Sequence, residues 1–215
     1  MFFKTGPGQY GHGDEFIGVK TEGIKTTAKE FASLDLPGIQ TLLDSAIHED
    51  RSLGVVILRT QYEKTIKQDD RSLQRSLFNF YWKNRKRINN WDLVDGSAPY
   101  ISGHFAFVDS AAKAKIFGLI HSKSIWDRRI AMISTYYFIR EGEFKPVMDL
   151  ARELLNDKED LMHKASGWML REMGKRDVRH LRDFLDHHLQ DMPRTMLRYA
   201  IEKFPEKERL KYLRG

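Results

Sequence analysis

The chain has 215 residues, 41% hydrophobic and 31% charged, enough for one sizeable core or a short solenoid, and no apolar run approaches the length of a membrane span. Thirty-six basic residues against 30 acidic give a net charge of +6, which favours a polyanionic partner provided the basic residues are sorted onto one face. The lack of cysteine excludes disulfides, thiol nucleophiles and thiolate metal sites, and with no signal peptide at its start the expected address is intracellular.

The opening residues, Phe2-Phe3-Lys4-Thr5-Gly6-Pro7-Gly8-Gln9-Tyr10-Gly11-His12-Gly13-Asp14, are dense in glycine and aromatics. They predict a loop, part of a segment 1–25 that packs over the first helices. Their spacing does not match the phosphate-cradling G-x-x-x-x-G-K-[ST] pattern, so no nucleotide site is read there. From residue 26 onward apolar residues recur at three- and four-residue spacing, punctuated by Gly, Pro, Asp and Asn. Helices are predicted over 26–33, 37–45, 49–64, 71–85, 91–98, 109–120, 126–140, 145–155, 159–173, 178–189, 194–204 and 207–213. Leu161, Ala165, Trp168, Met169 and Met173 mark one such face, with Gly174 placed to end that helix.

No alternating strand pattern competes, so the fold class is all-α. Segments opening at Arg51, Trp91, Arg128 and Leu161 recur at separations of about 33 to 40 residues, near the range of stacked helical-pair repeats. One domain, built as an α-α superhelix with a concave face, is the expected architecture; a compact bundle is the alternative.

The stretch Asn89-Asn90-Trp91-Asp92-Leu93-Val94-Asp95-Gly96-Ser97-Ala98-Pro99 reads as a short helix. Asn89 or Asn90 can cap it, Asp92 suits the first turn, and Pro99 disfavours helix at Ala98. Trp91 and Asp95 stand four residues apart, so indole and carboxylate share a face. An aromatic plane beside a carboxylate suits a planar, cationic target; the plainer reading is a core anchor and a solvated acid.

The eight histidines, His12, His48, His104, His121, His163, His180, His187 and His188, form no H-E-x-x-H or similar ligand pair, and no nucleophile-elbow motif supports a catalytic triad. The basic residues Lys83, Arg85, Lys86, Arg87, Arg128, Arg129, Arg171, Arg194 and Arg198 are candidate phosphate contacts if the inner helices share one surface. Taken singly, each reads first as a solvated surface charge, and only together do they suggest a groove.

The run Asn90-Trp91-Asp92-Leu93-Val94-Asp95 with Ser97-Ala98-Pro99, then Trp126-Asp127-Arg128-Arg129-Ile130-Ala131, resembles the AlkD-like DNA alkylation repair family. So do Gly167-Trp168-Met169-Leu170-Arg171-Glu172 and Met192-Pro193-Arg194-Thr195-Met196-Leu197-Arg198-Tyr199-Ala200, and the resemblance covers most of the chain from Phe2. It implies a HEAT-like solenoid and a monofunctional DNA glycosylase that removes positively charged N3- and N7-alkylated purines from double-stranded DNA. It also implies a cytoplasmic monomer without metal or other cofactor.

Carried over by position, the catalytic aspartate is Asp95, its paired tryptophan Trp91 and the second lesion-side tryptophan Trp168. The functional arginine, expected at a phosphate, is Arg129, or Arg128 if the register slips by one. The chain departs from the family in beginning at Phe2-Phe3-Lys4-Thr5-Gly6, where relatives carry preceding helical sequence, and in Glu22, where a proline is common. A non-catalytic HEAT-like DNA-binding module is the rival reading.

Overall fold

The computed structural model describes residues 3–214; Met1 and Phe2, where the resemblance begins, and Gly215 lie outside the described residues. Among the described residues there are thirteen α-helices and no strand, a lone backbone bridge between Glu15 and Ile47 aside. The chain divides into two compact units, Met1–Phe105 and Ala106–Gly215.

In the first unit α3 (His48–Lys67) is the central element, packing on α1 (Thr21–Glu30), α2 (Leu36–Asp44), α4 (Arg71–Asn84) and α5 (Trp91–Ser97). Helices α2 and α4 start at side-chain caps: Asp35 accepts from Gly38 N–H before α2, and Asp70 from Leu73 N–H before α4. Ile57, Leu58, Tyr62, Leu77, Phe78 and Tyr81 are buried, each large apolar side chain contributing about 1.5–3 kcal/mol to cohesion. A 3₁₀ turn, Arg85–Arg87, joins α4 to the approach to α5.

The predicted 26–33 helix begins earlier, at Thr21, which puts Glu22 in the first turn of α1. A carboxylate there is favoured by the helix dipole, so the missing proline does not prevent this start. A helix absent from the sequence reading, α6 (Ser102–Val108), follows α5. Its residues 102–106 are all buried, and burial on every side leaves no amphipathic period to read.

The second unit holds α7 (Ser110–Phe117), a 3₁₀ turn Gly118–His121, α8 (Ile125–Arg140), α9 (Lys145–Glu153), α10 (Asp160–Arg176), α11 (Val178–His188), α12 (Arg194–Ala200) and α13 (Glu206–Arg214). Here α10 is central, packing on α8, α9, α11 and α12. Gly167 makes the α12 contact possible: a Cβ at that position would lie 2.4 Å from Met196 O and 2.5 Å from Tyr199 Cβ. Gly174, expected to stop this helix, does not; α10 runs on to Arg176. A Cβ on Gly174 would meet Leu181 Cδ2 at 2.4 Å, so this glycine serves the approach of α11.

Candidate functional site

Helix α5 is short, and its start is held from outside. Asn90, the second of the two candidate caps, is extended at φ −147° and ψ 157°, and its side chain accepts from Trp91 N–H at 2.8 Å. Leu93, Val94 and Ser97 face inward, where Ser97 Oγ donates to Leu93 O and meets the Tyr81 hydroxyl. Trp91, Asp92, Asp95 and Gly96 are left half-buried. The spacing argument holds: Trp91 and Asp95 occupy one helix side, a turn apart.

The N-terminal loop, expected over the first helices, packs against this element and against the start of α3. Phe3 stacks on Trp91 with ring centroids 5.5 Å apart, and on Phe16 at 4.8 Å. Phe16 in turn stacks on His48 at 4.7 Å. Gly13 and Gly18 adopt φ of +89° and +84°, conformations that an L side chain resists, which accounts for glycine there. Glu49, buried at the start of α3, accepts from Ile17 N–H and Gly18 N–H at 3.1 and 2.8 Å. Burial alone would raise its carboxyl; these backbone donors and the His48 charge hold it below the ordinary value.

Beneath the aromatic stack lies a charge cluster. His48 Nε2 is 2.8 Å from Asp92 Oδ2, and Nδ1 faces Asp14 Oδ2 at 3.5 Å. Asp14 also takes Arg51 at 2.6 Å and Asn90 Nδ2 at 2.9 Å. Asp14 would be raised by burial, but His48, Asn90 and Arg51 carry it below the usual carboxylate range. Burial likewise opposes charge on His48, yet the two carboxylates push it up to about 9. Sequence reading took Asp92 for a helix-dipole residue and gave His48 no role; its partners are 34 and 44 residues away in sequence, and no local motif links them.

A cleft of about 340 Å³ opens beside this cluster, walled by Phe3, Phe16, Ile24, His48, Trp91 and Asp92.

In the second unit Trp168 is half-buried on α10, and its indole N–H donates to Glu172 Oε1 at 3.1 Å, again one turn on. Arg129 is not a surface contact. It is 4% exposed, and its Nη1–H reaches Leu161 O at 2.7 Å, tying α8 to the first turn of α10. Arg128, the alternative, is committed to the fold as well. It grips the buried Asp157 through Nε at 2.7 Å and Nη2 at 3.3 Å, and Nη1 donates to Ser122 O and Lys123 O.

Other expected phosphate contacts divide by environment. Arg87 donates to Leu43 O and Asp44 O, Arg85 to Trp82 O, and Arg194 to Leu213 O. Arg171 is paired with Glu202 and Glu172. Lys83, Lys86 and Arg198 are exposed and, among the described residues, have no partner. Of the expected phosphate contacts, these three keep all their donors available for a ligand.

An internal correspondence, finer than the expected 33-to-40-residue recurrence, links the units at an offset of 77 residues: Arg51 to Arg128, Trp91 to Trp168, Asp95 to Glu172. It extends to hydrogen bonds. Ser45 Oγ bonds Asp50 and accepts from Ile47 N–H, while Ser122 Oγ bonds Asp127 and accepts from Ser124 N–H. Arg51 Nη1 donates to Ser45 O and Ala46 O, as Arg128 Nη1 does to Ser122 O and Lys123 O. The signal was present in sequence as Ser-x-x-x-x-Asp-Arg at the starts of α3 and α8.

Among the described residues no group of three or more His, Cys, Asp or Glu is placed to hold a metal ion, and no helix is long and apolar enough to cross a membrane. A family model described as DNA alkylation repair enzyme matches residues 1–204. Among solved structures the chain is similar to one from Enterococcus faecalis described as a predicted DNA alkylation repair enzyme. The TM-score is 0.70 at 15% identity over 91% of each chain, a likeness of fold. No curated protein sequence matches the chain.

Proposed function

The chain belongs to the DNA alkylation repair enzyme family and serves the repair of alkylated DNA; within that role we propose that it is a DNA glycosylase acting on positively charged N3- and N7-alkylated purines in duplex DNA. The observation that supports this reading is the half-buried Trp91 and Asp95 on one side of α5, a helix whose start is held by a cap and an aromatic stack.

Alkylation at N3 or N7 gives the purine a formal positive charge before reaction. As the bond from the sugar C1′ to the base nitrogen breaks, its electron pair neutralises that charge, so the base leaves without prior protonation. Positive charge then develops on the deoxyribose, an oxocarbenium-like state. A carboxylate held beside the sugar stabilises this charge and orients the water that bonds to C1′. We assign that role to Asp95.

The indoles of Trp91 and Trp168 contribute cation–π attraction of roughly 0.5–2 kcal/mol each. Arg129, buried against Leu161 O, braces the helix that carries Trp168. Lys83, Lys86 and Arg198 supply phosphate contacts. The protein acts on this reading as a cytoplasmic monomer.

The test is single-turnover excision of 7-methylguanine from a labelled duplex, read as alkali-labile breaks. Asp95→Asn should lower the rate by about 10²–10³-fold, the cost of removing one preorganised charge-stabilising group, while duplex affinity holds. Equal rates for variant and wild type would refute the role of Asp95. Tight binding with no breaks on any methylated purine would make the protein a non-catalytic DNA-binding module.

A further inference from the structure

We propose that His48 is a positioning residue for the Trp91/Asp95 element: wedged between Asp14 of the N-terminal loop and Asp92 of α5, it sets the rotation of α5 and holds Phe3 against the Trp91 indole. Its consequence for excision rests on the glycosylase reading; its consequence for the indole does not.

The geometry sets His48 between two carboxylates, with one hydrogen bond and one longer charge contact. Its Nε2 lies 2.8 Å from Asp92 Oδ2 and its Nδ1 faces Asp14 Oδ2. A carboxylate only accepts, so Nε2 carries a proton, and two negative charges within 3.5 Å of the ring favour the imidazolium. The cluster is then neutral, with His48 and Arg51 against Asp14 and Asp92, and its side chains are 3%, 5%, 6% and 26% exposed. The other groups facing His48 are Glu49 on its own helix, bonded to Ile17 and Gly18 N–H, and Lys20 and Glu22 across the adjoining cleft. Phe16 stacks on the ring at 4.7 Å, Phe3 meets it tilted at 5.0 Å, and Phe3 continues the stack to Trp91.

In the second unit α8, the counterpart of α3, shows that a helix of this kind does not require such a clamp to fold. At the same 77-residue offset the anchoring arginine recurs as Arg128, with the same two carbonyl bonds. The positions matching His48, Asp92 and Asn90 are Ile125, Met169 and Gly167. The clamp is therefore an addition on the unit that carries Asp95. Because Asp92 directly follows Trp91 and lies three residues before Asp95, fixing Asp92 fixes the direction in which both neighbours point.

His48→Gln removes the imidazolium and leaves the cluster with one unbalanced negative charge; His48→Gln/Asp92→Asn restores neutrality with an amide pair of similar reach. The readout independent of catalysis is the Trp91 indole N–H resonance, one of four in the chain, assigned by its loss in Trp91→Phe. The expected result is that His48→Gln shifts or broadens this resonance and lowers the single-turnover excision rate at least tenfold. Duplex affinity should change less than twofold. The double variant should return both signals towards wild type. The wild-type resonance should also titrate with a midpoint near 9, and the double variant's should not.

An unmoved Trp91 resonance in a folded His48→Gln protein overturns the proposal. So does a double variant that regains its melting temperature but not the resonance. Should His48→Gln fail to fold, the double variant decides on the same two signals. If the resonance behaves as expected but wild type excises nothing, the positioning role stands and the glycosylase reading falls.

Discussion

Replacing Arg128 by Gln separates two uses of an arginine, phosphate contact and internal clamp. The Arg128 side chain is 14% exposed and that of its partner Asp157 is 7% exposed. Removal leaves Asp157 with the bond from Glu159 N–H and deprives Ser122 O and Lys123 O of the Arg128 donor. Breaking a buried pair from one side costs about 3–5 kcal/mol, because the remaining carboxylate stays desolvated. For a chain of this size 1 kcal/mol corresponds to about 2–4 °C, so the melting temperature should fall by about 6–20 °C.

The assay pairs urea unfolding with duplex binding across a salt series. The clamp assignment expects the large stability loss, a substantial recovery in Arg128→Gln/Asp157→Asn, and an unchanged salt slope for binding. A loss under about 1 kcal/mol, together with a slope reduced by about 0.9, the mark of one lost phosphate contact, would refute it.

Lys83→Glu/Lys86→Glu should behave oppositely, weakening duplex binding and reducing the salt slope by at least about 1.8 while leaving stability within about 0.5 kcal/mol per site, as binding isotherms and melting curves will read. Gly167→Ala should destabilise the second unit by at least about 1–3 kcal/mol in chemical denaturation, since the added methyl meets the backbone oxygen of Met196 at 2.4 Å and a backbone atom cannot swing aside.

Stability should also depend on alkaline pH through His48. Its pKa is raised from 6.5 to about 9, so the stabilisation is fully present below pH 6.5 and is lost as pH rises through 9. The shift corresponds to about 3 kcal/mol, and the loss should be absent from the His48→Gln/Asp92→Asn profile measured by urea midpoints.

The residues that proved legible in sequence are those whose meaning is local. The helices show because apolar spacing reports one face at a time, and Asn90, Trp91 and Asp95 fall where capping and the helical turn put them. The family resemblance drew on the same short runs. Where the reading failed, the missing information was tertiary. Gly174 has the residue type of a stop but the surroundings of a close approach, and the first five residues of α6 are all buried and show no period.

By itself the sequence determined the all-helical class and the pairing of an indole with a carboxylate one turn on, because both follow from bonds and contacts within a few residues. Only the tertiary structure decided which charges are spent internally. Arg128 finds Asp157 across 29 residues, His48 finds Asp92 across 44, and Asn90 finds Asp14 across 76. Such partners are chosen by packing, and a desolvated charge must be paired wherever packing happens to bring an opposite one.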